Sequence, residues 1–148
     1  MDESKYREVI QFAVDKEVRA FEFYVKAAEM TPYSGAKELF GELAQEEGRH
    51  RKLLQEIRIE KVLQARLDPV PDLKISDYLV EEELQPDADY ASTLRVAMKM
   101  EERSMRLYND LRDANEDDDL RKLFAFLAQQ EARHKLKLEK VYDEEILK

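Results

Sequence analysis

A length of 148 residues corresponds most simply to one domain, residues 1–148, and is enough to bury a sizeable core. Charged residues make up 40% and apolar residues 43%, with only three glycines and four prolines, a composition that favours long helices over strands. The formal charge of −9 argues against nucleic acid or an anionic membrane as a partner, and the lack of cysteine excludes disulfides, thiolate nucleophiles and cysteine-ligated zinc or iron within this sequence.

The first half of the chain predicts a helical hairpin over residues 4–67. Its first helix runs from Ser4, which can cap it, to Met30, and Pro32 and Gly35 mark a turn. Its second helix runs from about Ala36 to Leu67. Residues at a spacing of three to four form the inward stripes of the two helices: Ile10, Ala13, Val14, Glu17, Ala20, Phe21, Tyr24 and Ala28, then Leu39, Phe40, Leu43, Glu47, His50, Leu54 and Ile57.

A crossover is predicted over residues 68–86. Two prolines, Pro69 and Pro71, end the preceding helix, and the next periodic segment begins only near Asp87. Turns between neighbouring helices usually take about 2–8 residues, so this longer stretch indicates a connection from one end of a bundle to the other. Part of it is predicted to be a short helix over Asp77–Glu83, capped by Ser76.

A second hairpin is predicted over residues 87–147. Its first helix reaches about Ala114, a polar turn follows at residues 115–119, and the last helix covers about Leu120–Ile146. Two hairpins joined by one long crossover are the topology of the ferritin-like four-helix bundle. The predicted fold class is therefore all-α and ferritin-like.

The two hairpins repeat one pattern 84 positions apart. Glu47-Gly48-Arg49-His50 reappears as Glu131-Ala132-Arg133-His134. Glu17 reappears as Glu101, and Tyr24 as Tyr108. The chain has only two histidines, and each follows one of these glutamates by three residues, so that the two side chains share a helix face.

This pattern predicts a dinuclear metal centre. An ionised carboxylate within an apolar stripe is costly to bury, and four facing one another would raise each other's pKa unless two divalent cations balanced their charge. The repeat suggests that Glu47 and Glu131 bridge both ions. Glu17 with His50 would complete one site, and Glu101 with His134 the other. Oxygen and imidazole ligands suit iron or manganese better than magnesium or metals that prefer thiolates. Two iron ions are expected, and manganese or zinc are the alternatives.

Other interpretations of the same residues remain open at this stage. A single Glu-x-x-His pair in a charged helix usually marks a solvated face; two copies, each with a further inward glutamate, favour metal. Tyr24 and Tyr108 are either core tyrosines or residues of the centre that hydrogen-bond a ligand carboxylate or act as redox-active phenols.

With these motifs the chain resembles the rubrerythrin-like proteins of the ferritin-like di-iron superfamily, from Glu17 to His134. Rubrerythrins typically carry a further ligand glutamate where Ser104 stands here, so the resemblance implies the six-ligand set that bacterioferritins share. Gly48 occupies the position of the haem-ligating methionine of bacterioferritins, so no haem is expected. No rubredoxin domain is expected either, since cysteine is absent.

The resemblance implies a redox enzyme that reduces hydrogen peroxide or dioxygen with electrons from a separate donor protein. The alternatives are iron oxidation for storage or delivery and, more weakly supported, a purely structural bundle. A homodimer is expected rather than a cage, because the sequence stops soon after the fourth helix. The polar N-terminus and the lack of an apolar run of roughly 18–20 residues predict a cytoplasmic protein without a membrane span.

Overall fold

A computed structural model of the chain describes residues 3–56, 67, 69–79 and 82–147, without the side chains of residues 3–6 and 78. Within these ranges the chain forms helices and no strand. The described residues form four α-helices and one short 3-10 helix: α1 (Glu3–Met30), α2 (Ser34–Glu56), the 3-10 helix Ile75–Tyr78, α3 (Tyr90–Ala114) and α4 (Asp118–Glu145). They belong to two compact units, Met1–Lys61 and Val62–Lys148, each built on a helical hairpin.

The first hairpin packs α1 against α2. A three-residue connection joins the helices; its Tyr33 donates its backbone N–H to the Thr31 hydroxyl at 3.3 Å, and its carbonyl accepts from the Lys37 N–H at 3.0 Å. The core consists of fully buried side chains from both predicted stripes, among them Tyr24, Phe40, Leu43 and Leu54. Most residues of the predicted stripes therefore face inward. Phe21, predicted in the first stripe, is an exception at 39% exposed, and Ile57 lies outside the described residues.

The second hairpin packs α3 against α4 and has an aspartate cap at the start of each helix. Asp89 accepts from the Ser92 N–H at 2.8 Å, and Asp117 accepts from the Leu120 N–H at 3.1 Å. Such caps satisfy backbone donors that the first turn of a helix leaves without a partner. None of the helices in the described ranges is apolar over a length that would cross a membrane.

The observed helix ends differ from the predicted ones where a cap decides them. α3 begins at Tyr90 rather than near Asp87, because the cap is Asp89; α4 begins two residues before the predicted Leu120 for the same reason. α1 already includes Ser4, so Ser4 is not its cap. The predicted end of α2 falls on residues 57–66, which lie outside the described residues, and Leu67 is not helical.

Polar contacts attach the crossover to the second hairpin. Glu139 Oε2 accepts the backbone N–H of Ile75 at 2.6 Å and that of Ser76 at 3.2 Å. The Ser76 hydroxyl donates to Glu102 Oε2 at 2.6 Å. Lys135 Nζ donates to Asp72 Oδ1 at 2.7 Å and to Glu139 Oε1 at 3.2 Å. These residues, hereafter the crossover clasp, fix the 3-10 helix on α3 and α4.

The clasp explains why the predicted short helix over Asp77–Glu83, capped by Ser76, is wrong. The helix observed is Ile75–Tyr78, and the described residues 82–85 are not helical. Glu139, from a distant part of the sequence, takes the N–H groups that a local cap would take. Lys74 precedes the helix in the left-handed conformation (φ 56°), which non-glycine residues adopt at a cost of roughly 1–2 kcal/mol.

The charges of the clasp stabilise one another despite burial. The hydrogen bond from Lys135 lowers the pKa of the Asp72 carboxyl. Burial alone would lower the pKa of Lys135, but its bonds to Asp72 and Glu139 outweigh burial and raise it. Burial likewise opposes ionisation of Glu102, yet the Ser76 hydroxyl and the nearby Arg106 lower its pKa overall.

Replacing Glu139 by leucine tests the clasp. The substitution removes the acceptor of two backbone N–H groups, that of half-buried Ile75 and that of buried Ser76, and one acceptor of buried Lys135. We expect the free energy of unfolding to fall by about 3–5 kcal/mol, as when one partner of a buried ion pair is removed. Urea denaturation of the metal-free protein, followed by circular dichroism, measures it. Glu144→Leu, at an exposed site of the same helix, should stay within about 0.5 kcal/mol; equal losses in both variants would contradict this account.

The Asp72–Lys135 pair should make stability depend on acid pH. A carboxyl whose pKa is lowered by folding stabilises the fold above its ordinary pKa of 3.8, and that contribution disappears as the pH falls through the lowered value. The wild type should therefore exceed Asp72→Asn in free energy of unfolding at neutral pH, and the gap should narrow below 3.8. Urea denaturation across this range measures the gap. Asp87→Asn, in the exposed turn before α3, is the control. A gap that stays constant with pH would refute the ion pair.

Candidate metal centre

Three predicted ligands of the first hairpin meet in its interior. Glu17 of α1 lies beside Glu47 and His50 of α2, and all three are buried. Each offers one ligand atom, and these atoms lie within 4.8 Å of one another. His50 Nδ1 is 3.6 Å from Glu17 Oε2 and 3.6 Å from Glu47 Oε1. These residues form the first triad.

The second hairpin repeats this arrangement. Glu101 of α3 and the pair Glu131 and His134 of α4 are buried, with ligand atoms that also lie within 4.8 Å of one another. His134 Nδ1 is 3.5 Å from Glu101 Oε1. These residues form the second triad. The structure thus brings together, within each hairpin, the three ligands that the sequence assigned to that hairpin.

Helical spacing explains why each triad forms. The glutamate and the histidine of one helix are three residues apart, so both point to the same side. The glutamate of the preceding helix lies in an apolar stripe that packs against that side. Because Nδ1 is the ring nitrogen that faces the carboxylates, it is the candidate ligand atom of each imidazole.

The donor set of each triad fits a divalent metal ion. The separations of 3.5 to 3.6 Å exceed the 2.7–3.2 Å of ordinary N–H···O hydrogen bonds. They are close to the separation of two atoms bound to one ion, since bonds of about 2.0–2.2 Å place neighbouring ligand atoms roughly 3.0–3.5 Å apart. Two buried carboxyl groups and an imidazole also supply the oxygen and nitrogen atoms that iron, manganese or zinc accepts.

Tyr24 and Tyr108 occupy equivalent places in the two hairpins. Both are fully buried. Tyr24 stacks on Phe40 with ring centroids 6.1 Å apart, and Tyr108 stacks on Phe124 at 6.3 Å. Each lies seven residues, or about two helical turns, after the glutamate that its helix contributes to a triad. Their burial fits a role as core residues. That they also contribute to the metal centre stays a prediction.

The positions next to the triads in sequence carry no additional carboxylate that faces a triad. Ser104, one turn after Glu101, is buried, and so is its equivalent Ala20. Neither offers a carboxylate to the triad of its hairpin. Arg49 and Arg133, which separate glutamate from histidine in the motif, are exposed, so each motif directs its glutamate and histidine inward and its arginine outward.

The clasp, with buried Glu102, Lys135 and Glu139, is the group of residues that the sequence patterns did not reveal. Glu102 and Lys135 each directly follow a triad member, Glu101 and His134, and both are buried. The only local signal was the four-residue spacing of Lys135 and Glu139, which normally describes an exposed helical ion pair.

Comparisons with known proteins agree with this geometry. Among curated proteins, nothing matches the chain. The family profile described as rubrerythrin matches residues 8–142. A hypothetical protein from Pyrococcus furiosus has a similar solved structure, with 28% identity and a TM-score of 0.68 over 93% of this chain and 88% of that chain. The all-α, ferritin-like four-helix fold class predicted from the sequence is thereby confirmed. With a match across most of its length, the chain belongs to the rubrerythrin family.

Proposed function

We propose that this protein is a di-iron redox enzyme that reduces hydrogen peroxide with electrons from a separate donor protein. The observation that carries the proposal is the pair of equivalent triads, each with two buried carboxylates and one buried imidazole. Dioxygen is the alternative oxidant. Membership of the rubrerythrin family supports iron and redox chemistry, while the choice of peroxide rests on the family resemblance.

In this proposal the two triads jointly hold two metal ions. Glu17 and His50 would hold one ion, Glu101 and His134 would hold the other, and Glu47 and Glu131 would serve both. This ligand pattern, a glutamate from each of two helices and a Glu-x-x-His from each of the others, is that of ferritin-like di-iron carboxylate proteins. The four positive charges of the two ions then balance the four carboxylates. Without such balance, burying these carboxylates in the interior would cost much free energy.

The bound ions would supply the exchange of electrons with the oxidant. The chain itself supplies rigidity, because each ligand projects from a packed helix rather than from a loop. It also restricts water, since all six ligand side chains are nearly inaccessible to solvent. We further propose that Tyr24 and Tyr108 hold ligand carboxylates in place through their hydroxyl groups.

Replacing Glu47 by glutamine, which has nearly the same shape but no charge, tests whether its charge serves to bind metal. In chelator the wild type carries clustered buried carboxylates, so Glu47→Gln should unfold at an equal or higher temperature. With Mn²⁺ at 100 times its dissociation constant, the wild type should gain about 2.7 kcal/mol and the variant much less. Thermal unfolding with and without Mn²⁺ measures both effects. Glu22→Gln, exposed on α1, should gain as much as the wild type; equal gains in all three proteins would exclude Glu47 as a ligand.

Catalysis is tested with anaerobic, ferrous-loaded protein. On mixing with hydrogen peroxide, its absorption should change rapidly, and repeated cycles should follow when a reductant such as ascorbate is present. Glu131→Gln should slow the cycle by more than about 100-fold. Loss of a residue that only hydrogen-bonds a metal ligand typically lowers activity by about 10- to 100-fold, so a larger effect indicates loss of a ligand itself. Glu144→Gln, at an exposed site, should cycle normally. Stopped-flow absorbance measures the rates.

The same experiment separates the peroxidase from an iron-handling protein. A single slow oxidation, with no repeated turnover and uptake of iron far beyond two ions per chain, would overturn the proposed activity in favour of iron oxidation for storage or delivery. Unchanged turnover in Glu131→Gln would overturn the proposed ligand set instead.

A further inference from the structure

A cavity of about 330 Å³, hereafter the crossover cavity, lies between the start of the crossover and the second hairpin. Leu67, Pro69 and Val70 bound it on the crossover side, and α3 and α4 bound it on the other. All of its described lining residues belong to the unit Val62–Lys148, and no triad side chain is among them. Clefts of about 300–1,000 Å³ with a mostly apolar lining and a few polar groups are typical of small-molecule sites.

The charge in the described lining of the crossover cavity lies at one end. α3 contributes Met105, Asn109 and Arg112, which follow one another at helical spacing over about two turns. α4 contributes Gln129 and three alanines, whose small side chains leave the space open. Arg112 is the only charged residue of the described lining, and it lies at the opposite end of the α3 row from Met105. A ligand that fills the cavity would therefore place a negative group at Arg112 and an apolar body towards Met105.

Two polar side chains of this lining have hydrogen-bonding groups that the described chain does not use. Asn109 is half-buried, and its side-chain amide has no hydrogen-bond partner among the described residues. Arg112 donates its Nε to the exposed Asp113 at 2.9 Å, whereas its two Nη groups donate to no atom of the described ranges. An exposed ion pair of this kind contributes little to stability. The outer edge of the Arg112 guanidinium is therefore free to bind a ligand.

The first hairpin provides an internal comparison for these two positions. Val25 and Ala28 stand 84 positions before Asn109 and Arg112. The two hairpins share their triads and their stacked tyrosines, so apolar side chains at these positions satisfy the packing of such a hairpin. The polar pair occurs in the hairpin that the crossover covers, which indicates that it serves the cavity rather than the fold of the hairpin.

From these observations we propose that the crossover cavity binds a small monocarboxylate with an apolar body. The two Nη groups of Arg112 form a fork that matches a carboxylate, and the Asn109 amide can donate a further hydrogen bond. Arg121 donates its Nη1 to the Arg112 carbonyl at 3.1 Å and so brings a second cation to the same end. Asp113 beside the fork disfavours a dianion such as a phosphate monoester, because its own negative charge repels additional negative charge.

Methionine methyl signals in nuclear magnetic resonance spectra test the site directly. The chain has five methionines, of which Met105 lines the cavity and Met98 is fully buried in the core. In the full-length, metal-free protein labelled with carbon-13 at these methyl groups, benzoate or hexanoate should shift the Met105 signal, which Met105→Leu identifies, and leave the Met98 signal in place. The neutral probes benzamide and hexanamide should bind at least about tenfold more weakly, because the fork of Arg112 then lacks a charged acceptor.

Substitutions in the lining show where the carboxylate binds. Arg112→Met should raise the dissociation constant of benzoate about tenfold or more, and Asn109→Val, the residue type of the first hairpin, about three- to tenfold. Arg103→Met, which removes an exposed cation of the same helix, should leave it unchanged. Circular dichroism checks that each variant folds; if Arg112→Met does not, the neutral probes decide. A dissociation constant that a folded Arg112→Met leaves unchanged overturns the proposal.

Added metal distinguishes the crossover cavity from the candidate metal centre, because carboxylates also bind metal ions. Since no triad side chain belongs to the described lining, the dissociation constant of benzoate should be the same without metal and with Zn²⁺. Binding that requires Zn²⁺ would place the probe on the ion and overturn the proposal. Dissociation constants above about 10 mM for both carboxylates would overturn it as well, since a charged fork and an apolar enclosure together should bind more tightly.

Discussion

Buried negative charge is the constraint on which the rest of this molecule depends. The chain buries two kinds of acid. Glu102 and Glu139 are neutralised by cations of the chain itself, Arg106 and Lys135. The carboxylates of the triads face histidines, which bind metals as neutral imidazoles and contribute no positive charge in that form. Carboxylates buried in this way are costly unless positive charge balances them, so the fold and the proposed metal centre share one electrostatic requirement.

The two hairpins share their interior positions but differ in the residues that surround them. The triad positions are the same in both, as are the stacked pairs of Tyr24 with Phe40 and Tyr108 with Phe124. Outside these positions the two copies differ. The second hairpin uses charged residues to hold the crossover, whereas the first has Val18, Arg51 and Gln55 at the positions of Glu102, Lys135 and Glu139. The interior is thus repeated, and the surfaces are specialised.

The sequence predicts the features that are set by residues close together along the chain. It does not predict those that are set by contacts between distant residues. Helical periodicity predicted most of the inward-facing stripes. The three-residue spacing of glutamate and histidine, as in Glu47 and His50, predicted that the two side chains of each pair lie together, because a helix fixes which of its own residues share a face. The 3-10 helix was misplaced because Glu139, far along the chain, decides where it begins. The predicted starts of α3 and α4 were a few residues off because several aspartates competed as caps, and only the observed geometry selects Asp89 and Asp117.

The distance along the chain between the 3-10 helix and its acceptor has a consequence for biosynthesis. The backbone N–H of Ile75 is bound by a carboxylate that lies 64 residues later. A ribosome adding about 5–20 residues per second completes that stretch in roughly 3–13 s. During this interval the nascent crossover has no native acceptor for these donors, and water must hydrate them. The crossover can therefore reach its final position only after translation has passed Glu139, whereas the α1–α2 hairpin has all its partners much earlier.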